Sequence, residues 1–537
     1  MVAATYTYSV DLNQDHDFSD TNEDISAYVK RAKWSIGASQ PDQMVTRANT
    51  ADLILDNSTD IFSPDHASAL AGFLPGALLK IESTYSATTR THFLGWIASD
   101  GIEIDAGSRL KQEARLSAEG FFARLHREQV RVPVQEGKTI DQIIASILTA
   151  TSVYPPGMLA WFLGQVGLGE LGLNTYLGSG SSDYSVMDTG INVFNYAGDN
   201  WNDGVKIRKA IEDLNDAERG FIFENREGKL ELYNRHYWFL DLANAVDATL
   251  TEGDYLARKS SGIKHKYGAS LLNDYTITIY RRVVDSSPGI LGRMTSNPRI
   301  IAGKTSDPYR IRFNDDTGND IGGKSVTFDQ VTDWNANGAE DGSGANLNGN
   351  VSASIEEIGS GLEIVFTNAG ATDAYIIPGS ADTEAVTAQG IKITHYQKEE
   401  INVSNEASIL QYGRSAETET IKLLDDINYA RNLAKFIVDN RKDPVGVIEK
   451  LYIQANKSDA LMTQALTRKI GDRLSLSESK TAIGQEYFIV GEQHEVEANG
   501  RNHVASWVMK AASVFTYWIL GHSTYGKLGQ TTNLGFG

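Results

Sequence analysis

The chain contains no cysteine, which removes disulfides, zinc ribbons and thiol catalysis from consideration. It has no run of lysine or arginine, and its formal net charge is −20. The basic patches that release counterions from a duplex are therefore missing, and tight or specific nucleic-acid binding is not expected. An acidic surface suits solubility, and it equally suits a channel through which DNA slides without sticking, because like charges repel. Residues 1–10 are polar and alternating, without the basic start and apolar core of a signal peptide, so no Sec-type export is expected. The longest apolar region, residues 158–173, is broken by Gln165, Glu170 and four glycines. It falls short of a membrane span and reads as an apolar loop folded against a neighbour.

At 537 residues the chain exceeds one ordinary core, and about three to five domains are expected. Apolar content of 41% with periodic strands excludes disorder. The alternating pairs Trp34/Ile36, Leu53/Leu55, Leu79/Ile81, Ile102/Ile104 and Leu116/Ala118 have period two. With frequent turns they predict a closed or nearly closed antiparallel barrel over residues 1–130. Ile140, Ile143, Ile144, Ile147 and Leu148 then follow helical spacing behind Thr139 as N-cap, and Val205, Ile207, Ile211 and Leu214 predict a second helix. Phe221–Phe223 and Leu230–Leu232 flank a hairpin turn at 225–228. Residues 131–250 thus read as a small α+β domain, with connecting strands at 251–285.

Residues 286–397 turn rich in Gly, Asn, Asp and Thr, with short strands near 351–355 and 362–366, and predict an inserted β-sandwich. A helical segment at 398–444 centres on an amphipathic helix over 417–440, through Ile421, Leu424, Ile427, Ala430, Leu433, Ala434 and Ile437. A second β unit follows at 445–512, then a tail at 513–537. The expected fold is mainly β with α+β parts, multidomain, with two antiparallel barrels.

The two β units echo one another. Gly76 and Phe93 are 17 residues apart, as are Gly471 and Phe488. Each pair brackets a glycine turn, an alternating strand, a polar tip and an aromatic-led strand ending at glycine. The first block runs Leu53-Ile54-Leu55-Asp56-Asn57, Phe62-Ser63-Pro64, Leu74-Pro75-Gly76, Leu79-Lys80-Ile81 and Phe93-Leu94-Gly95-Trp96-Ile97. In this order the motifs resemble the N-terminal hub domain of tail-tip and baseplate hub proteins of tailed bacteriophages. Residues 333–344 and 364–376 look like a β insertion common in that family. Trp518-Ile519-Leu520-Gly521, with Leu528-Gly529 and Thr531-Thr532, resembles its usual ending.

The resemblance implies a structural protein of the virion's distal tail, made in the host cytoplasm. Such hubs cap the tail tube, and two related β units per chain predict a homotrimer that adapts a sixfold tube to a threefold spike. Their partners are the tube or distal-tail ring, the tape measure, and spike or receptor-binding proteins, with transient passage of DNA and no stable membrane insertion. No cofactor, metal or catalytic residue is implied. The chain ends at Gly537, without the long region that carries a hydrolase in some relatives. Phe515, Tyr517, Trp518, Ile519 and Leu520 form an apolar run expected to dock on a partner.

Residues that could carry chemistry have plainer readings. Asp333, Asn335, Asn337 and Asp341 open like an EF-hand calcium loop, but Gly344 stands where the bidentate glutamate belongs. Residues 314–320, around Asp315, are a similar acidic turn, explained by Asx chemistry. His494 and His503 flank a turn at 499–500 that could bring them together; without a third ligand they read as surface or half-buried histidines. Glu224, Glu227 and Glu231 read as the solvated face of their hairpin, not a glycosidase pair. Residues 178–182 lack the strand-serine-helix elbow of a nucleophilic serine. The alternative functions are a tail-associated cell-wall hydrolase and a carbohydrate-binding adhesin, the latter suggested by 8 Trp and 23 Tyr.

Overall fold

Alternation in the first 120 residues becomes six antiparallel strands: β1 (Thr5–Asp11), β2 (Val29–Gly37), β3 (Thr50–Asp56), β4 (Leu78–Tyr85), β5 (Thr88–Asp105) and β6 (Glu113–Glu119). They pair in the order β1-β4-β5-β6-β3-β2. The computed structural model describes residues 2–105, 107, 112–151, 185–201, 204–241, 244–255, 263, 265–268, 270–479 and 482–512. The apolar region 158–173, the turn at 178–182 and the tail residues Phe515, Tyr517, Trp518, Ile519 and Leu520 lie outside those residues. No described helix is long and apolar enough to cross a membrane.

The echo in sequence is an echo in topology. In the second unit the strands Lys450–Gln454, Arg473–Glu478, Ile483–Glu497 and Asn502–Ala511 follow one another along the chain. They pair in the spatial order second, third, fourth, first. That is also the arrangement of β3, β4, β5 and β6, and all these pairs are antiparallel. Gly76 and Gly471 occupy matching positions, with φ of 91° and 95°. Their N–H groups donate to Ile97 and Ile489 at 2.9 Å in each case.

The matched spacing of 17, however, does not mark matched residues. Phe93 pairs with Ile81, whereas Phe488 pairs with Arg473. The first hairpin is longer and carries a register shift at Ile81/Glu82, so the glycine turn is the common landmark.

The two units are not separate bodies. β2 pairs on one side with β3 and on the other with the second unit's long strand, Arg31–Gly37 against Gly491–Glu497. One 11-stranded sheet results, and among the described residues its pairing path ends at β1 and at Ala248–Leu250. A single apolar core runs through both units, from Tyr8, Trp34 and Leu55 to Ile453, Leu474 and Trp507. Ile102 and Ile104 are an exception to the alternation. β5 shifts register between Ile97 and Ile102, and Ile104 is left 42% exposed.

A second core unites segments far apart in sequence. It holds the helices Phe121–Arg127, Ile140–Thr149, Ile207–Glu218 and Ile427–Arg441, the hairpin Phe221–Glu224/Leu230–Tyr233 and the strand Asp274–Val284. Thr139 precedes its helix as expected, its N–H donating to the Gln142 side chain at 3.2 Å. The helix expected over 417–440 instead begins at Ile427. Residues Ala416–Thr420 are a strand, drawn into a parallel pair with Asp274–Thr278. Asp426 then caps the true start, accepting from the N–H groups of Asn428 and Tyr429.

The third core, from Leu291 to Ala388, draws every member from within the inserted segment. Its strands include Val351–Ile358 and Gly361–Asn368, paired antiparallel. The strands Asp274–Val284 and Val386–Ser404 enter and leave it side by side. At their base the solvent-shielded side chain of Arg282 pairs with the buried Asp199 at 2.6 and 3.0 Å.

The two glycine turns predict unequal responses to the same substitution. At Gly76 a Cβ would meet open space, while at Gly471 it would lie 2.7 Å from the Tyr237 hydroxyl. Gly76→Ala should cost about 1 kcal/mol for its left-handed backbone alone. Gly471→Ala should cost more, read as a larger drop in urea midpoint; an equal drop would contradict the packing described.

Candidate functional site

The motifs of the first block turn out to be fold determinants. The Asn57 side chain accepts from the Phe62 N–H at 3.0 Å and donates to Ser63 Oγ at 2.9 Å. This seats the fully buried Phe62 against Tyr28 and Phe73, with ring centroids 5.3 and 5.1 Å away. Gly95 passes so close to β6 that a Cβ would lie 2.6 Å from the Glu119 carbonyl. Trp96 is covered by the Arg124 guanidinium, 3.6 Å from the ring centroid.

The most concentrated polar chemistry lies buried where the two β units meet. His494, on the second unit's long strand, sits opposite Trp34 of β2 and stacks on it, centroids 5.0 Å apart and planes 9° from parallel. His494 Nδ1 lies 2.9 Å from His503 Nε2, and His503 Nδ1 lies 2.7 Å from the Tyr6 hydroxyl. Glu492 Oε2 is 3.6 Å from His494 Nε2. Arg226, from the hairpin turn, grips Glu492 with Nε and Nη2 at 2.6 and 2.5 Å. It also donates to the carbonyls of Leu466 and Arg468. His92 of β5 stands alongside, its Nε2 2.7 Å from Ser83 Oγ and its ring 5.9 Å from that of His494. All three histidines are 0% exposed.

Burial, which disfavours the charged form, pushes these imidazoles below the ordinary histidine range. Burial would also raise Glu492, but the Arg226 guanidinium overcomes it and holds the carboxyl at about 2. The pair is an ionised unit inside the core.

The structure brings His494 and His503 together, as their hairpin allowed, but it corrects their exposure. They are core residues, because Trp34 and Tyr6 of the first unit roof over a face that the second unit alone would leave wet. Sequence reasoning missed His92, Glu492, Arg226 and Tyr6. Only the alternation of Glu492 and His494 on a strand flanked by apolar residues hinted at an inward polar face.

Glu224, Glu227 and Glu231 do not form one solvated face. Glu227 is exposed, but Glu224 is fully buried. Its carboxylate accepts from the N–H groups of Phe121 and Phe122 at the start of a helix. Burial raises it to about 7 despite those donors.

Nor do the acidic turns converge on a cation. Asp333 is buried and accepts from Thr387 Oγ1, Gln389 Nε2 and the Asp329 N–H, while Asp341 turns outward to Ser343. Asp315 is held well below the carboxylate range by bonds from Thr317 and Asn319. Among the described residues no three His, Asp or Glu side chains are arranged to hold a metal.

Arg226→Ala would strand the buried Glu492 carboxylate and free two carbonyls. It should cost about 3–5 kcal/mol, measured by urea unfolding. A loss below about 1 kcal/mol, the surface-pair range, would contradict the buried pair.

No protein-family model matches the sequence, and no curated protein matches it. Solved structures similar to this chain include a tail protein from Neisseria meningitidis MC58, at 9% identity and a TM-score of 0.45, covering 94% of this chain and 97% of that one. Another is the 43 kDa tail protein of prophage MuSo2 from Shewanella oneidensis, at 9% identity and 0.46, covering 95% and 100%. A third is an E. coli type VI secretion component described as similar to T4 bacteriophage tail proteins, at 9% identity and 0.34, covering 91% and 74%.

Proposed function

We propose that this protein is a structural tail hub of a tailed phage or tail-like particle, capping the distal tube and joining it to a spike or tip. The observation that carries the reading is the repeated unit. β3–β6 and the four strands from Lys450 to Ala511 share one chain order and one spatial order, and the first of them bears the hub-like motifs.

Two related units per chain give a trimer six similar faces around one axis. That arrangement meets a sixfold ring on one side and a threefold spike on the other. The mechanism is geometric: rigid sheets close a ring whose lumen passes DNA, and the acidic excess keeps DNA from adhering. The partners proposed are the tube or distal-tail ring, the tape measure, and spike or receptor-binding proteins. The most elaborate polar cluster is sealed inside the core, which favours a structural role over a hydrolase. Trp34 and Trp507 are fully buried, which favours packing over a sugar-binding surface.

Reconstruction of assembled particles tests the proposal. Three copies per tail are expected, with β3–β6 and their counterparts alternating around the axis. Six copies, or three whose two units do not superpose, would refute it. The run Phe515, Tyr517, Trp518, Ile519 and Leu520 is proposed to dock on a partner, each buried side chain contributing about 1.5–3 kcal/mol. Truncation after Ala512 should weaken assembly in light scattering while the monomer melts unchanged; equal assembly would refute the docking role.

A further inference from the structure

The row Tyr6–His503–His494–Glu492 favours one arrangement of protons at neutral pH. Glu492, ionised by Arg226, stands 3.6 Å from His494 Nε2, too far for a hydrogen bond, and its negative charge draws a proton to that nitrogen. His494 Nδ1 then accepts from His503 Nε2, and His503 Nδ1 accepts from the Tyr6 hydroxyl, with contacts of 2.9 and 2.7 Å. Both hydrogen bonds fit either direction, and the Glu492 charge selects this one.

One added proton can be absorbed. Protonated His494 donates from both nitrogens, His503 swaps tautomer, and the Tyr6 hydroxyl becomes an acceptor. A second proton cannot. If His503 is also charged, N–H would oppose N–H across 2.9 Å. If His92 is charged instead, another imidazolium enters a pocket already holding Arg226, with only Glu492 to balance them. The remaining titratable or charged groups near these rings offer little relief. Tyr8 lies beside Tyr6, Arg90 adds positive charge toward His92, and Asp472 acts on Arg226. Arg31, on the junction strand β2, is already paired with Glu495 and Glu497.

We infer that this buried row is an acid-sensitive latch between the two β units, closed while it carries at most one added proton and opened by the second. Opening separates β2 from the strand Ile483–Glu497, because His494 and Trp34 face each other across that pair. The inference does not depend on the tail-hub reading.

The sign follows from burial. The folded imidazoles lie below the ordinary range, so the unfolded or opened junction binds protons that the closed one refuses. The latch is fully stabilising above about pH 6.5 and weakens as pH falls. Buried carboxyls elsewhere act oppositely. Glu224 at about 7, and Asp216 and Asp472 at about 6, keep protons in the fold that the unfolded chain releases. Global melting therefore mixes both signs, and a local measurement is required.

Hydrogen exchange of the full chain, corrected for intrinsic rates, provides it. Between pH 6 and 5, protection in Arg31–Gly37 and Gly491–Glu497 should fall about tenfold for each refused proton, while Gly361–Asn368 keeps its protection. His503→Gln should flatten that fall. Tyr6→Phe removes the acceptor that lets the row reverse, so the closed junction refuses one more proton and the fall should be steeper; it decides the matter if His503→Gln does not fold. Junction protection that is constant with pH, or lost in step with Gly361–Asn368, would overturn the latch, as would an unchanged profile in Tyr6→Phe.

Discussion

One strand pair, β2 against the strand Ile483–Glu497, is the constraint on which the architecture rests. It joins residues more than 450 positions apart, and loop closure over that distance is repaid only if many contacts form together. They do. The pair carries Arg31 ion pairs on its outer face and Trp34 on His494 within. Behind it lies a core common to both units. Asn456 adds a tie at the chain's beginning, donating to the carbonyls of Val2 and Gly500 and accepting from the His503 N–H.

The polar row inside the junction is the costly part of this design. An ionised Arg–Glu pair in a core contributes less than well-packed apolar side chains of the same volume, and half of it alone is strongly unfavourable. What such a row supplies is register. Sliding β2 by one residue would turn Trp34 outward and point its neighbours Lys33 or Ser35 at His494. The histidines thus specify which residues of the two units face each other, a role that apolar packing fills less selectively.

Much of the architecture was legible because alternation and apolar helical spacing report directly on buried faces. β2, β3, β4 and β6, the helix Ile140–Thr149 and the hairpin after Phe221 all follow this rule. The helix at Ile427 was misplaced because Ile421 and Leu424 are buried in a turn after a strand, and apolar spacing alone cannot separate that from a first helical turn. The echo was visible, but its residue match was not, since a register shift in one hairpin is invisible in spacing. The junction row was least legible of all. Its members come from β1, β2, β4, β5, a distant hairpin turn and two late strands, and no local pattern announces that Arg226 belongs beside Glu492. Glu224 was misread for a related reason, because its partners are backbone N–H groups about 100 residues away.

The central claim is that the two β units form a single cooperative body through that junction. Urea unfolding followed by fluorine NMR of 5-fluorotryptophan-labelled protein tests it, with Trp96 reporting on β5 and Trp507 on the strand Asn502–Ala511. The account predicts coincident midpoints and slopes for the two signals. A second unit that melts apart from the first, with Trp507 and Trp96 changing at separate urea concentrations, would contradict it.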